Sequence, residues 1–263
     1  MIRMNVCMKQ VLDPEAPLSS FKIDPEAKRA IPKGVPPVLN PFDENALEAA
    51  LKIKDAQGGK ITVISMGRNL AKPVMRKSLA VGADELILLE DDVFEATDSY
   101  CTAYVLATAI KKIGEYDLIF CGRQAADTDA GQVGSGIAEI LGITSITLAQ
   151  RVEIGNGKVT VERITPDGYE VIQAPVPALV TVGGEIGELR TANMKAIMEA
   201  QKKQITVWNA QDIGVDLSPM RRSNLLKLFI PVREGPECQI TAGESPEETG
   251  ANLALKLRED KII

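Results

Sequence analysis

Residues 121–136 read CGRQAADTDAGQVGSG, directly after the strand-like run YDLIFCG. A chain that leaves a strand, crosses a polar loop and enters a helix through glycines is built to meet an anion. The first N–H groups of a helix have no acceptor within it, and its dipole is positive at that end. Gly131, Gly134 and Gly136 would let a ligand approach the backbone directly. Their spacing is GxxGxG, not the GxGxxG of dinucleotide-binding turns, and the Gly-Lys-Ser/Thr of a P-loop is missing, so ATP hydrolysis of that type is disfavoured. Tight turns and helix–strand packing are the alternative use of such glycines.

Two acids precede the helix. Asp127 and Asp129 can cap its N-terminus, the expected role, or act as a carboxylate pair for acid–base work or metal. Arg123 can meet a phosphate or an electron-rich ring, or stand in solvent. The 263 residues include no histidine, which removes Ser–His and Cys–His dyads and His-ligated metals. Catalysis by this chain would therefore rest on a bound cofactor. Cys7, Cys101, Cys121 and Cys238 form no CxxC pair, so the common zinc spacings are excluded, no metal is expected, and a reducing cytoplasm is. Cys101 and Cys121 are expected to pack as small apolar residues.

Net charge is −6 and aromatics are 4%, which argues against a nucleic-acid binder. No apolar run approaches the roughly 20 residues that cross a bilayer, so no membrane insertion is expected. The N-terminal MIRMNVCMKQVL lacks a secretory h-region.

The elements that must position the loop come in α/β alternation. Strand-like RMNVCMKQVL, KITVISMG, DELILLE and YDLIFCG alternate with helix-like FDENALEAALKIKDAQGG, RNLAKPVMRKSLAVGA and SYCTAYVLATAIKKIGE. Asn40 before Pro41, with Asp43 following, reads as a cap for the first helix. An acidic stretch, EDDVFEATD, precedes the third. The pattern predicts a doubly wound, mostly parallel sheet covered on both faces. In such a sheet ligands bind at the carboxyl ends of the strands. Cys7, Met8 and Lys9, then Asn40, Phe42 and Asp43, then Ser65, Met66 and Gly67 all fall at that edge and together can line an adenosine pocket.

After about residue 145 the rhythm changes to a hairpin with a Gly-Asn-Gly turn and one more buried strand, PALVTVG. The expected division is a nucleotide-binding domain over 1–187 and a C-terminal arm over 188–263. LRTANMKAIMEAQKKQI is polar with a weak apolar stripe, and SPEETGANLALKLRE is a terminal helix. The arm is read as packing on a partner, the alternative being that it folds back on its own domain.

Taken together these residues are similar to the beta subunit of electron transfer flavoprotein. The strongest likeness is GRQAADTDAGQVG followed by a helix and LGI, supported by VLNPFDENALEAALKIKD, MKAIMEAQKKQI and DIGVDLSP in that order. The resemblance implies an adenine-nucleotide-binding α/β fold that pairs with an alpha subunit. It implies that nucleotide is held around Met8, Asn40 and Met66 and by Asp127, Thr128, Asp129, Ala130, Gly131, Gln132, Val133, Gly134 and Ser135. Cys121 and Arg123 complete the candidate set. Met194, with Ile197 and Met198, resembles the loop that docks on acyl-CoA dehydrogenase partners, a buried core methionine being the other reading.

The family has two branches. Respiratory-type members hold AMP here as a structural ligand and have a longer loop. Asp129-Ala130-Gly131-Gln132-Val133-Gly134 resembles the compact form of the bifurcating and nitrogen-fixation-associated branch, which binds FAD; Ser135 stands where that branch often has proline. The expectation is FAD reduced by NADH, with electrons divided between ferredoxin or flavodoxin and the alpha-subunit flavin. That second flavin would feed an acyl-CoA or lactate dehydrogenase-type flavoenzyme. Structural AMP is the alternative. A stand-alone nucleotide sensor is a third reading.

Overall fold

The computed structural model describes residues 1–95, 97–217, 222–230 and 238–263. Ala96 of the acidic stretch, the last two residues of DIGVDLSP and the segment 231–237 therefore lie outside the described residues.

Five strands come first: β1 (Arg3–Cys7), β2 (Gln10–Leu12), β3 (Phe21–Asp24), β4 (Arg29–Pro32) and β5 (Pro37–Leu39). Helix α1 (Pro41–Gln57), β6 (Lys60–Gly67), short helices α2 (Lys72–Met75) and α3 (Lys77–Val81), and β7 (Glu85–Glu90) follow. Then come α4 (Ser99–Ile113), β8 (Leu118–Gly122) and α5 (Val133–Leu141). The rest is β9 (Thr144–Gly155), β10 (Lys158–Thr165), β11 (Gly168–Pro175), β12 (Ala178–Val182), α6 (Met194–Lys202), β13 (Thr206–Trp208), α7 (Ala210–Ile213) and α8 (Pro246–Glu259).

Nine strands form one sheet in the order β11-β10-β9-β12-β8-β1-β6-β7-β13. Pairing is parallel from β9 across to β13, and antiparallel only in β9–β10–β11. Alternation along each strand feeds two layers. Met4, Val6 and Val63 face a core with Leu47 and Leu51 of α1, while Cys7, Ile64 and Ile119 face one with Val105 and Ile110 of α4. The doubly wound, mostly parallel fold expected from the alternation is the fold observed.

The details depart from the sequence pattern in instructive ways. The strand expected over 3–12 breaks after Cys7, and Gln10–Leu12 pair instead with Pro37–Leu39 from the proline-rich loop. Within that loop Phe21–Asp24 and Arg29–Pro32 make a small ribbon of their own. The helix expected over 68–83 is two short helices meeting at Arg76. The hairpin turns on Asn156 and Gly157, both at positive φ, and continues into a third strand, β11.

The expected boundary at 187 is not where the chain divides. One compact unit runs from Met1 to Leu228, and a second from Phe229 to Ile263. Residues 188–217 return to their own domain. Arg190 binds Glu48 at 2.8 Å and Asp55 at 2.6 Å, and α6 packs on α3 while Arg76 donates to the carbonyls of Ala200 and Lys203. Strand β13 then pairs with β7, giving partners to backbone groups that a sheet edge would leave bare. Three residues are too few to show a period, which is why this strand was not legible. In the second unit α8 is capped by Ser245, which accepts the Glu248 N–H at 3.2 Å, and none of its residues is buried.

Candidate functional site

The chain runs from β1 outward through β6 and β7, then reverses to place β8 on β1's other side. That reversal is a topological switch point, where an open α/β sheet leaves a crevice at its carboxyl edge. A cleft of about 440 Å3 lies there, lined by the ends of β1 and β8, Met66 and Gly67 of β6, and loops after all four central strands. Its volume is in the range of small-molecule sites.

Two side chains at the start of α1 hold the cleft floor. Asp43 accepts the Lys9 N–H at 2.7 Å and the Gly122 N–H at 3.0 Å, tying the ends of β1 and β8 together. Burial pushes its carboxyl up to about 6, partly offset by the Lys9, Asn40 and Gly122 hydrogen bonds and the Lys9 charge. A side chain at residue 122 is not tolerated, since a Cβ there would lie 2.6 Å from Asp43 Oδ1 and from the Phe42 carbonyl carbon. Asn40 reaches the other way: its Nδ2 donates to Gln124 O at 2.8 Å and its Oδ1 accepts the Ala126 N–H at 3.0 Å. It sits at the N-cap of α1 but makes no side-chain cap bond, contrary to the capping expected for it. Partners more than 80 residues away claim its amide instead.

The glycine loop is held by these bonds and lines one wall. Thr128, Ala130, Gly131, Gln132, Val133 and Gly134 all face the cleft, as do Cys7, Met8, Lys9, Asn40, Asp43, Met66, Gly67, Cys121 and Arg123. The expected capping by the two acids is not what forms. Asp127 pairs with Lys9 Nζ at 2.7 Å, Asp129 accepts from Gln124 Nε2 at 2.8 Å, and no side chain caps α5. The first-turn N–H groups of α5 are thereby left for water or a ligand.

The glycines divide by task. Gly131 takes φ +62°, in the left-handed region that favours glycine. Gly134 and Gly136 make room for protein: a Cβ would lie 2.7 Å from Thr181 Cγ2 on β12 and 2.9 Å from Ala103 Cβ on α4. Direct approach of a ligand, expected at all three, is open only where the loop faces the cleft.

Arg123 lines the cleft with its guanidinium carbon 4.7 Å from the Phe42 ring centre, and its buried Nε has no protein acceptor. An unsatisfied buried donor of this kind costs about 1–3 kcal/mol, so this atom fits an incoming acceptor. Phe42 supports the arginine without lining the cleft. Ser65, fully buried in β6, does not line it either, nor do Asp127, Asp129 and Ser135. Cys7 and Cys121 are buried and both reach the cleft. Their mutual hydrogen bond, then burial, pushes the Cys121 thiol well up, so it packs rather than reacts. Among the described residues no group of His, Cys, Asp or Glu is arranged to hold a metal ion.

The opposite wall was missed by sequence reasoning. It is built from Arg68–Leu70 after β6 and from Phe94, Glu95 and Thr97–Ser99 after β7, with Thr102 and Leu106 of α4. Arg68 pairs with Asp92 at 2.7 Å and with Glu95, which also takes Arg29 at 2.9 Å. Asp98 caps α4 through Oδ1 to the Cys101 N–H at 2.8 Å. Burial raises its carboxyl, but hydrogen bonds from the Cys101, Arg222 and Ser223 N–H groups outweigh that and hold it at about 2. The signal was available, because EDDVFEATD follows a parallel strand and so falls at the ligand-binding edge.

The model of the electron transfer flavoprotein domain matches residues 31–213. The chain belongs to the electron transfer flavoprotein family. It is 40% identical, over the whole of both chains, to the caffeyl-CoA reductase-Etf complex subunit CarD of Acetobacterium woodii. It is 45% identical to the electron transfer flavoprotein subunit beta of Thermoanaerobacterium thermosaccharolyticum, over 80% of each chain. To protein FixA of Azorhizobium caulinodans it is 38% identical, over 80% of this chain and 76% of that one. It is thus a beta-type electron transfer flavoprotein chain resembling the FixA and Etf-complex branch, with an electron-transfer role. Met194, Ile197 and Met198 are exposed in one stripe along α6. No helix among the described residues is long and apolar enough to cross a membrane.

Proposed function

We propose that this chain is the beta subunit of a heterodimeric electron transfer flavoprotein that binds FAD in the cleft and performs electron bifurcation from NADH. The electrons would divide between a low-potential ferredoxin or flavodoxin and the flavin of a companion alpha subunit, which feeds a partner dehydrogenase. A flavin supplies hydride acceptance and one-electron transfer, chemistry that needs positioning rather than a protein base, in keeping with a chain without histidine.

The observation that carries the reading is the compact loop from Asp129 to Gly134 opening onto the uncapped start of α5, beside the free Nε of Arg123. In this reading the α5 N–H groups hold pyrophosphate, and Met8, Asn40 and Met66 flank the adenosine. Arg123 stabilises negative charge on a reduced ring. Lys9, tied to Asp127, orients the loop. The exposed stripe of Met194, Ile197 and Met198 is the surface offered to the dehydrogenase, and the C-terminal residues 238–263, with α8, are offered to the companion subunit. The name of the Acetobacterium relative, a subunit of a caffeyl-CoA reductase-Etf complex, supports a reductase-type partner.

Nucleotide released by denaturing the purified heterodimer tests this. Two FAD per heterodimer and no AMP is the expected result. One FAD with one AMP would make the cleft a structural AMP site and remove the bifurcating role. Separately, Arg123→Ala is expected to shift the flavin potentials of the assembled complex, and unchanged potentials would remove the role given to that residue.

A further inference from the structure

Asp98 stands where two parts of the chain meet. It lies in the cleft wall with Thr97, Ser99 and Thr102. One carboxylate oxygen caps α4. The other accepts the backbone N–H groups of Arg222 at 2.6 Å and Ser223 at 2.8 Å, some 124 residues further along the chain. The Arg222 guanidinium sits 4.9 Å over the ring of Tyr100, in the first turn of α4, giving a second attachment to the same helix end. A charged acceptor shared by a helix cap and a tether is a strong anchor, because hydrogen bonds to ionised groups are roughly twice as strong as neutral ones.

We propose that Asp98 is a positioning residue that couples occupancy of the nucleotide cleft to seating of the chain at 222–228. The proposal rests on the cleft being the nucleotide site. A ligand that packs against residues 97–102 holds the α4 N-terminus in place, and with it the carboxylate that receives the tether. Conversely, drawing residues 222–223 away leaves one carboxylate oxygen without its donors and loosens the wall. Coupling of this kind is reciprocal, and each direction can be measured.

Asp98→Asn separates the two jobs. Asparagine is as good an N-cap as aspartate, but its amide replaces the oxygen that receives Arg222 and Ser223. The full-length chain, purified with its companion subunit and stripped of nucleotide, would be followed by hydrogen exchange at 222–228 while FAD or, in parallel, AMP is added. Exchange is expected to slow on binding in the native protein. In Asp98→Asn, exchange there should be fast with or without ligand, and the nucleotide should dissociate about fivefold faster or more. Binding that leaves exchange at 222–228 unchanged in the native protein overturns the coupling while leaving the nucleotide site standing. Binding by neither probe overturns the nucleotide reading and the coupling with it. Because the native protein alone decides this, a variant that fails to fold does not rescue the idea.

Discussion

The two walls of the cleft are built by opposite strategies. The glycine-loop wall is pinned from beneath by buried side chains, Asn40 and Asp43, each with two long-range backbone partners. The acidic wall is held at its surface by Arg68, Arg29 and Glu95, all at least 40% exposed, and by one carboxylate that grips a distant segment. Buried polar bonds are costly to break, and exposed ion pairs contribute little. By that measure the first wall is the more firmly held of the two.

The comparison makes graded demands on stability. The largest effect is expected from Asp43. Its pKa of about 6 in the folded protein stands above the ordinary 3.8, so the folded state holds the proton more tightly than the unfolded one. The contribution of this group is greatest below pH 3.8 and falls as pH rises through 6, by about 3 kcal/mol at neutral pH. Denaturant titrations at pH 4 and 7 should show that slope in the native chain and not in Asp43→Asn; equal slopes would show that Asp43 is no buried strut.

Next comes Gly122→Ala, whose Cβ would meet backbone at 2.6 Å and cannot be relieved by a rotamer change. A loss of about 2–3 kcal/mol in unfolding free energy is expected, together with weakened nucleotide retention. Asn40→Ala strands the Gln124 carbonyl and the Ala126 N–H, and should cost about 2 kcal/mol, with the loop at 123–130 gaining hydrogen exchange before the rest of the domain. The smallest effect belongs to the other wall. Arg29→Ala removes an exposed pair, and its unfolding midpoint should move by less than about 0.5 kcal/mol in free energy. A loss as large as that of Asn40→Ala would erase the distinction between the walls.

The glycine-loop wall was also the legible one. Glycines, a capping-type Asn-Pro, and small residues after a β-branched run are signals carried by neighbours in sequence. What those residues do was less legible. Asn40, Asp127 and Asp129 all have the chemistry of helix caps, yet Asn40 and Asp127 are taken by partners that only the folded chain brings near, and Asp129 by Gln124 of its own loop. Gly134 and Gly136 are required by Thr181 and Ala103, whatever a ligand asks of them. The acidic wall was overlooked because charges in a loop usually mean a solvated surface, and nothing local says that Asp98 will find Arg222.

By itself the sequence determined the alternation of strands and helices, the two-faced parallel sheet and the glycine loop that leads into a helix start at the sheet's carboxyl edge, because periodicity and helix-end chemistry act over a few residues. It also determined membership of the family. Only the tertiary structure decided that residues 188–217 belong to the domain, that β13 extends the sheet beyond β7, and which hydrogen-bond partner each loop side chain takes. Those choices depend on contacts between segments far apart along the chain, where many polar groups could serve and packing selects one.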